Sequence, residues 1–232
     1  TQETITSYNQ SEITHTYDTE GEYIVKIRGV IQGWLFGNSG DCTKIIQIIK
    51  WGCLDLTTAG GFRGCSNLII TANDAPNVSG SSLSRCFDNC TKITQIGLNW
   101  DVSNISDFSH MFYQCDSFNQ DINDWDVSSA DNMDAMFREC QVFNQDLNDW
   151  DTSNVTSANW MFYGCFKFNG NIVDWNTSNI RTMGSMFFSC EAFNQDIGSW
   201  DTSSAVQMLH MFHNAKVFNQ DIGQWDVSSV VL

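Results

Sequence analysis

The chain has 232 residues, of which 42% are hydrophobic and 13% aromatic, enough apolar surface for a continuous core. A single proline and the absence of low-complexity runs argue against disorder. Eleven Lys plus Arg against 27 Asp plus Glu leave a formal net charge of −16, which repels phosphate backbones and argues against nucleic acid, and no apolar stretch approaches the roughly 20 residues of a membrane-spanning helix.

Residues 1–41 differ in kind from the rest. A turn signal at Asp18 to Gly21 is followed by alternation of Tyr23, Val25 and Ile27 with Glu22, Ile24 and Lys26, which predicts a strand and a β cap over 1–41. The segment from His15 to Ile27 resembles the closing strands of the polycystic-kidney-disease type of immunoglobulin-like sandwich, of which only the end would be present.

From Trp100 onward the chain repeats every 25 residues without insertion or deletion. Trp100, Trp125, Trp150, Trp175, Trp200 and Trp225 mark one slot, and Phe112, Phe137, Phe162, Phe187 and Phe212 another. The unit reads MFxxCxxFNQDIxxWDxS. Upstream it decays in register, with Cys86 and Phe87 in the Met-Phe slots and CTKI at Cys42 returning at Cys90. The array is thus expected over 42–232, with degenerate coils at 42–99 and regular ones at 100–232. A fixed period of this length means a stacked solenoid in which each unit buries its apolar face against its neighbours. The array stops in mid-unit and begins without an initiator Met, so the chain reads as an excerpt of a longer, processed protein.

Within a unit, Ser103, Asn104, Ser153 and Asn154 are favoured helix N-caps, and Ile105, Phe108, Met111 and Phe112 follow at helical spacing, predicting a short helix or 3₁₀ stretch. Residues 92–100, KITQIGLNW, alternate as a strand does. Stacking would then give one parallel sheet along the array, opposite a column of short helices, with Asp, Asn and Ser ladders serving the corners.

The unit, with its MF, C, FNQD and WD signatures, resembles the repeat of the BspA-like leucine-rich-repeat surface proteins in a 25-residue variant, over about residues 42–232. The expected fold class is an α/β repeat solenoid, a leucine-rich-repeat-like stack of 25-residue coils with an N-terminal β cap. The resemblance implies an extracellular or cell-surface array used for adhesion or binding, with no catalytic residues. The coil from Met161 departs from the pattern: Gly170, Asn171 and Asn176 replace the usual Gln, Asp and Asp.

Cys42, Cys65, Cys90, Cys115, Cys140, Cys165 and Cys190 share one slot, which Ala215 fills in the next coil. A position that takes Cys or Ala wants a small apolar body, so a buried, reduced structural ladder is expected. Disulfides between rungs roughly 5 Å apart remain open. Zinc finds no CxxC pair. Cys53 and Cys86 stand outside the column.

Two acidic columns follow from the same period. Asp121, Asp146, Asp196 and Asp221 form one, and Asp101, Asp126, Asp151, Asp201 and Asp226 the other. Carboxylates roughly 5 Å apart repel by about 0.8 kcal/mol in water and about 3 kcal/mol at an effective dielectric of 20. Either each Asp caps a turn by accepting backbone and Ser hydrogen bonds, or the columns bind calcium. His15, His110, His210 and His213 suggest no catalytic arrangement, since those in the array occupy slots of free composition.

Those variable slots are where binding specificity would reside. Tyr113, Tyr163 and Phe188 share one beside the Met-Phe pair, and the coil from Met161 adds Trp160 and Phe166 at positions otherwise polar, small or aliphatic. Aromatic rings beside amides suit sugar faces or protein hot spots, although isolated exposed rings also cover core edges. Sequons stand at Asn9, Asn77, Asn89, Asn104, Asn154 and Asn176. The reading is a non-enzymatic surface solenoid that binds a surface protein or glycan. Its rival is a structural spacer or assembly subunit contacting only neighbouring subunits, and an unbroken hydroxyl column from Ser103 to Ser228 leaves ordered surfaces such as ice or mineral as a third reading.

Overall fold

The computed structural model describes residues 18–27 and 29–231. Successive coils stack in parallel, and the Trp, Phe, Met and Cys columns form one continuous buried cluster from Cys42 to Met211. Rings repeat face to face along it: Phe112, Phe137, Phe162, Phe187 and Phe212 are spaced 5.7 Å apart between neighbours. Inside each coil the second Phe lies against the first, at 4.1 Å for Phe112 and Phe118 and 3.9 Å for Phe162 and Phe168. Such offset stacks add about 0.5–1.5 kcal/mol per pair to the burial itself. The indoles are also anchored, Nε1 of Trp150 and of Trp175 donating to the carbonyls of Ile122 and Leu147 in the coil before, at 3.0 and 2.7 Å.

The helical expectation at residues 104–112 is not met, and among the described residues the one helical element is the 3₁₀ turn Cys42–Lys44. The stretch is instead a run of β-turns. Met111, Tyr113 and Cys115 donate to the carbonyls of Phe108, His110 and Phe112, while the intervening amides of Phe108, His110, Phe112 and Gln114 donate to Asn132, Asp134, Met136 and Arg138 of the next coil. Half the amides are thus committed sideways, and left-handed backbone at His110 (φ 57°) and Gln114 (φ 56°) breaks the helix twice per coil. Periodicity gave the correct buried face but the wrong backbone, because turns closed every three residues bury the same side as a helical turn.

The parallel β column also lies elsewhere than predicted. Single-residue bridges join Ser82, Asp107, Asn132, Ser157, Thr182 and Gln207. No strand forms over residues 92–100. The reason is visible in the first coils, where β2 (Gln47–Ile48) pairs with β4 (Ile69–Ile70) at the corresponding position and three of the four residues are Ile. In the regular coils the same place holds Asn and Gln, whose side chains take over the bonding. Asn119 Oδ1 accepts the Asn144 amide at 2.8 Å, Asn144 Oδ1 that of Asn169 at 2.7 Å, and Gln145 Nε2 donates to the Asn119 carbonyl at 3.1 Å. An amide ladder has replaced a sheet.

At the other end, β1 (Ile31–Gln32) pairs in parallel with β3 (Leu54–Asp55). The amides of Phe36 and Asn38 donate to Gly61 and Arg63, and Trp34 and Phe36 pack on the core. Coil stacking therefore reaches back to Ile31, ahead of the first recognisable motif at Cys42. The strand expected at Tyr23 to Ile27 does not form: residues 18–27 carry no ladder and are exposed. His15 to Tyr17, which belong to the sandwich-like segment, lie outside the described residues. Among the described residues no helix is long and apolar enough to cross a membrane.

Candidate functional site

The cysteines of the column are free, and from Cys65 to Cys190 they are fully buried. Each thiol from Cys90 onward donates to a Phe carbonyl in the coil before, Cys115 to Phe87 at 3.0 Å, Cys140 to Phe112 at 2.9 Å and Cys190 to Phe162 at 2.8 Å. Burial pushes the Cys65 and Cys86 thiols up to about 12 and raises Cys90, Cys115, Cys140 and Cys165 well above the ordinary value. Groups so protonated are poor nucleophiles and poor metal ligands. Cys53 is the exposed thiol.

The aspartate columns are turned inward on their own loops. Asp126 Oδ1 accepts the Ser128 hydroxyl at 2.6 Å and its amide at 3.1 Å, and Asp101 binds Ser103 in the same way. Asp151, Asp201 and Asp226 each accept the amide two residues on. The Ser hydroxyl, then the Ser amide, hold all five carboxyls below the usual range. In the other column Asp121, Asp196 and Asp221 accept the amides of Asn123, Gly198 and Gly223, and Asp146 that of Asn171 in the next coil. Among the described residues no three His, Cys, Asp or Glu side chains come together as a metal site requires. In each column Asp it is Oδ1 that these turn and seam amides engage.

A different feature emerges on the slot after the Met-Phe pair. Tyr113, Arg138, Tyr163 and Phe188, all half-buried, and the exposed His213 form one row across five coils. The Arg138 guanidinium lies 5.4 Å from the Tyr113 ring centre and 4.6 Å from that of Tyr163. Tyr163 stacks on Phe188 at 4.6 Å, and Phe188 on His213 at 4.6 Å. His110 meets Tyr113 edge-on at 5.9 Å, and burial, then Arg85, lower its pKa. Sequence reading marked the three aromatic members but not Arg138 or His213. A guanidinium and an imidazole are planar too, and that shared shape was the available signal.

The coil from Met161 carries the largest exposed rings of this region, Trp160 at 39% and Phe166 at 41%. Tyr163 and Phe166 line one shallow depression of about 270 Å³ with Glu139, Gln141, Gly164 and Ser189. Trp160 stands outside that lining. Its amide donates to Gly184 and its carbonyl accepts the Tyr163 amide, so it opens the turn that carries Tyr163. Trp160 and Tyr163 thus close one turn, Phe166 lies just beyond it in the same coil, and only Tyr163 and Phe166 share a surface concavity. Gly170 has its own reason in the same coil: a Cβ there would collide with the Gln145 carbonyl oxygen. The close approach brings in a backbone bond from Leu147 to Asn171 at 2.9 Å, in place of the glutamine clamp that Gln145 and Gln195 supply in the adjoining coils. Of the sequons, Asn77, Asn104, Asn154 and Asn176 are exposed, Asn89 is half-buried, and Asn9 lies outside the described residues.

No match was found among curated proteins. A crystal structure described as that of a T. pallidum leucine-rich repeat protein (TpLRR) is similar at 13% identity and a TM-score of 0.40, over 76% of this chain and 79% of that one, a likeness too distant to support either fold or function. A family model described as "Mycoplasma protein of unknown function, DUF285" matches residues 81–187 and 149–232, well over half of the chain, and the chain therefore belongs to that family.

Proposed function

We propose that this chain is a non-enzymatic repeat protein of the cell surface or extracellular space that binds a protein or glycan partner through the aromatic edge of its solenoid. The observation that carries the reading is the coincidence, in one short stretch of one coil, of exposed Trp160 and Phe166 with the stacked row through Tyr163. From Trp100 to Trp200 the Trp and Phe columns of the regular coils lie in the core, where each ring is covered by its neighbours. Rings left in solvent forfeit that burial, roughly 25 cal/mol per Å² of apolar surface, and a partner that covers them recovers it. The extracellular setting rests on the resemblance of the repeat unit to surface proteins.

The test is retention of the full chain on an array of glycans and extracellular proteins, compared with a Trp160→Ala, Phe166→Ala double variant. Loss of retention is expected, with stability changed by no more than about 1 kcal/mol, as befits exposed positions. Unchanged retention would favour a spacer whose regular seams serve only stiffness. A large loss of stability would show instead that the rings belong to the core.

A further inference from the structure

One left-handed slot of the repeat carries a side chain at Asn89, Gln114, Glu139, Ser189 and Asn214 and none at Gly64 and Gly164. At Gly64 the space is filled from within: Asn38, in the coil before, folds over the glycine so closely that a Cβ there would run into its side chain. At Gly164 it is not filled. The corresponding residue, Glu139, is drawn away, its Oε2 accepting from Gln114 Nε2 at 2.9 Å and its Oε1 lying 3.4 Å from Arg138 Nε. The nearest atom to a Cβ at Gly164 would be Glu139 Cγ, at 3.3 Å. The depression of about 270 Å³ is this open space, with Gly164 in its lining and Glu139, Gln141, Tyr163, Phe166 and Ser189 around it.

The lining disfavours charged occupants. It holds no cation, its one carboxylate already faces Gln114 and Arg138, and the net charge of −16 opposes anions further. Phe166, 41% exposed and without a stacked ring among the described residues, offers an apolar face. Tyr163 is covered on both faces, by Arg138 and by Phe188, and presents its edge and hydroxyl. Gln141 Nε2 donates to Asp116 at 3.2 Å, whereas Gln141 Oε1 and the hydroxyls of Ser189 and Tyr163 have no protein partner among the described residues. A purely apolar side chain seated here would cover these groups without replacing their bonds to water. An uncharged ring with a C–H face on one side and hydroxyls at its rim matches both kinds of surface. The volume, just below the roughly 300 Å³ at which sites for drug-sized ligands begin, suits one such ring.

We infer that the depression over Gly164 is a subsite for one uncharged sugar ring of a glycan, its C–H face on Phe166 and its hydroxyls on Ser189, Gln141 and Tyr163. This rests on the binding function proposed above and names its ligand class.

Titration calorimetry of the full chain against a mannan, a galactan and a β-glucan tests it, since these neutral polymers differ in which ring hydroxyl is axial. At least one is expected to bind, with an affinity unchanged as salt is raised and at least about tenfold above that for polygalacturonate. Gly164→Asn closes the depression with the residue that the slot already holds at Asn214, and it should lower that affinity at least about tenfold, as should Phe166→Ala. Thermal melts establish that each variant is folded, and Phe166→Ala decides if Gly164→Asn is not. No heat with any of the three polymers, binding that fades with salt, or an affinity indifferent to a folded Gly164→Asn would overturn the inference. If the three polymers fail while the Trp160, Phe166 double variant still loses retention on the array, the sugar assignment falls and the binding function stands.

Discussion

Two positions in every regular coil hold left-handed backbone, and they rarely hold glycine. His110, Ala135, Trp160, Ser185 and His210 occupy one, and Gln114, Glu139, Gly164, Ser189 and Asn214 the other, with φ between 53° and 71°. Such a conformation costs a non-glycine residue roughly 1–2 kcal/mol, so each coil carries stored strain that its packing offsets. Trp160 is part of this regularity, and its strained backbone is therefore architectural. At Trp160 the slot opens to solvent and tolerates a bulky ring, whereas in the coil before it is closed over Ala135. Ser185→Gly should stabilise the chain by about 0.5–1 kcal/mol, and Ser185→Val, β-branched at φ 53°, should destabilise it by at least about 1–2 kcal/mol. Denaturant melts decide: a valine variant as stable as the parent would refute the strain.

At the scale of the coil, the corner turns built on Asp101, Asp126 and Asp151 contribute a signed pH dependence. Their carboxyls are held low, first by the Ser hydroxyl and then by its amide, so the stabilisation is present above the unfolded value of about 4 and is lost as pH falls through the lower folded values. Exposure keeps each contribution small. Asn176 shows that an amide closes the same turn, accepting the Ser178 hydroxyl at 2.7 Å. Asp126→Asn should therefore leave stability at pH 7 within about 0.5 kcal/mol of the parent and flatten the loss between pH 4 and 2. An unchanged acid profile in thermal melts would count against the turn as its origin. These corners also show what was legible. The period, the inward columns and the Asp turns could be read because each rests on residue type at a fixed slot. The helix at residues 104–112 and the strand at 92–100 could not, because spacing reports which side is buried and is silent about whether an amide bonds within its coil or to the next. The row through Arg138 was hidden for a related reason: its members share planarity but no residue class.

For the whole molecule, the buried thiols set the alkaline limit. Their folded pKa values are raised, chiefly by burial, so their stabilisation is complete below the unfolded thiol value of about 8.5 and is lost as pH rises beyond it, by up to about 1.4 kcal/mol per pH unit for each thiol. Stability should fall steeply above pH 9. Cys140→Ala, which copies the residue at Ala215, should make that fall shallower by one proton. In the native state only Cys53 should alkylate rapidly, and the column should react once the chain is denatured. Early reaction of Cys115 or Cys140 would mean that the stack opens locally. The open disulfide alternative is met by the same experiment, since a column that stayed unreactive in denaturant would be oxidised.

The amides of Phe108, His110, Phe112 and Gln114, each bonded to a carbonyl in the following coil, recur at the next seam as those of Met133, Ala135, Phe137 and Glu139 and at the next as those of Ala158, Trp160, Phe162 and Gly164. They run along the long axis, so a pull on the two ends loads several bonds of one seam at once, while the seams themselves stand in series. Tensile strength is then a property of one seam, and reach is a property of how many there are. An array of this kind can be lengthened by duplicating a coil without becoming weaker, which is the mechanical behaviour of a tether.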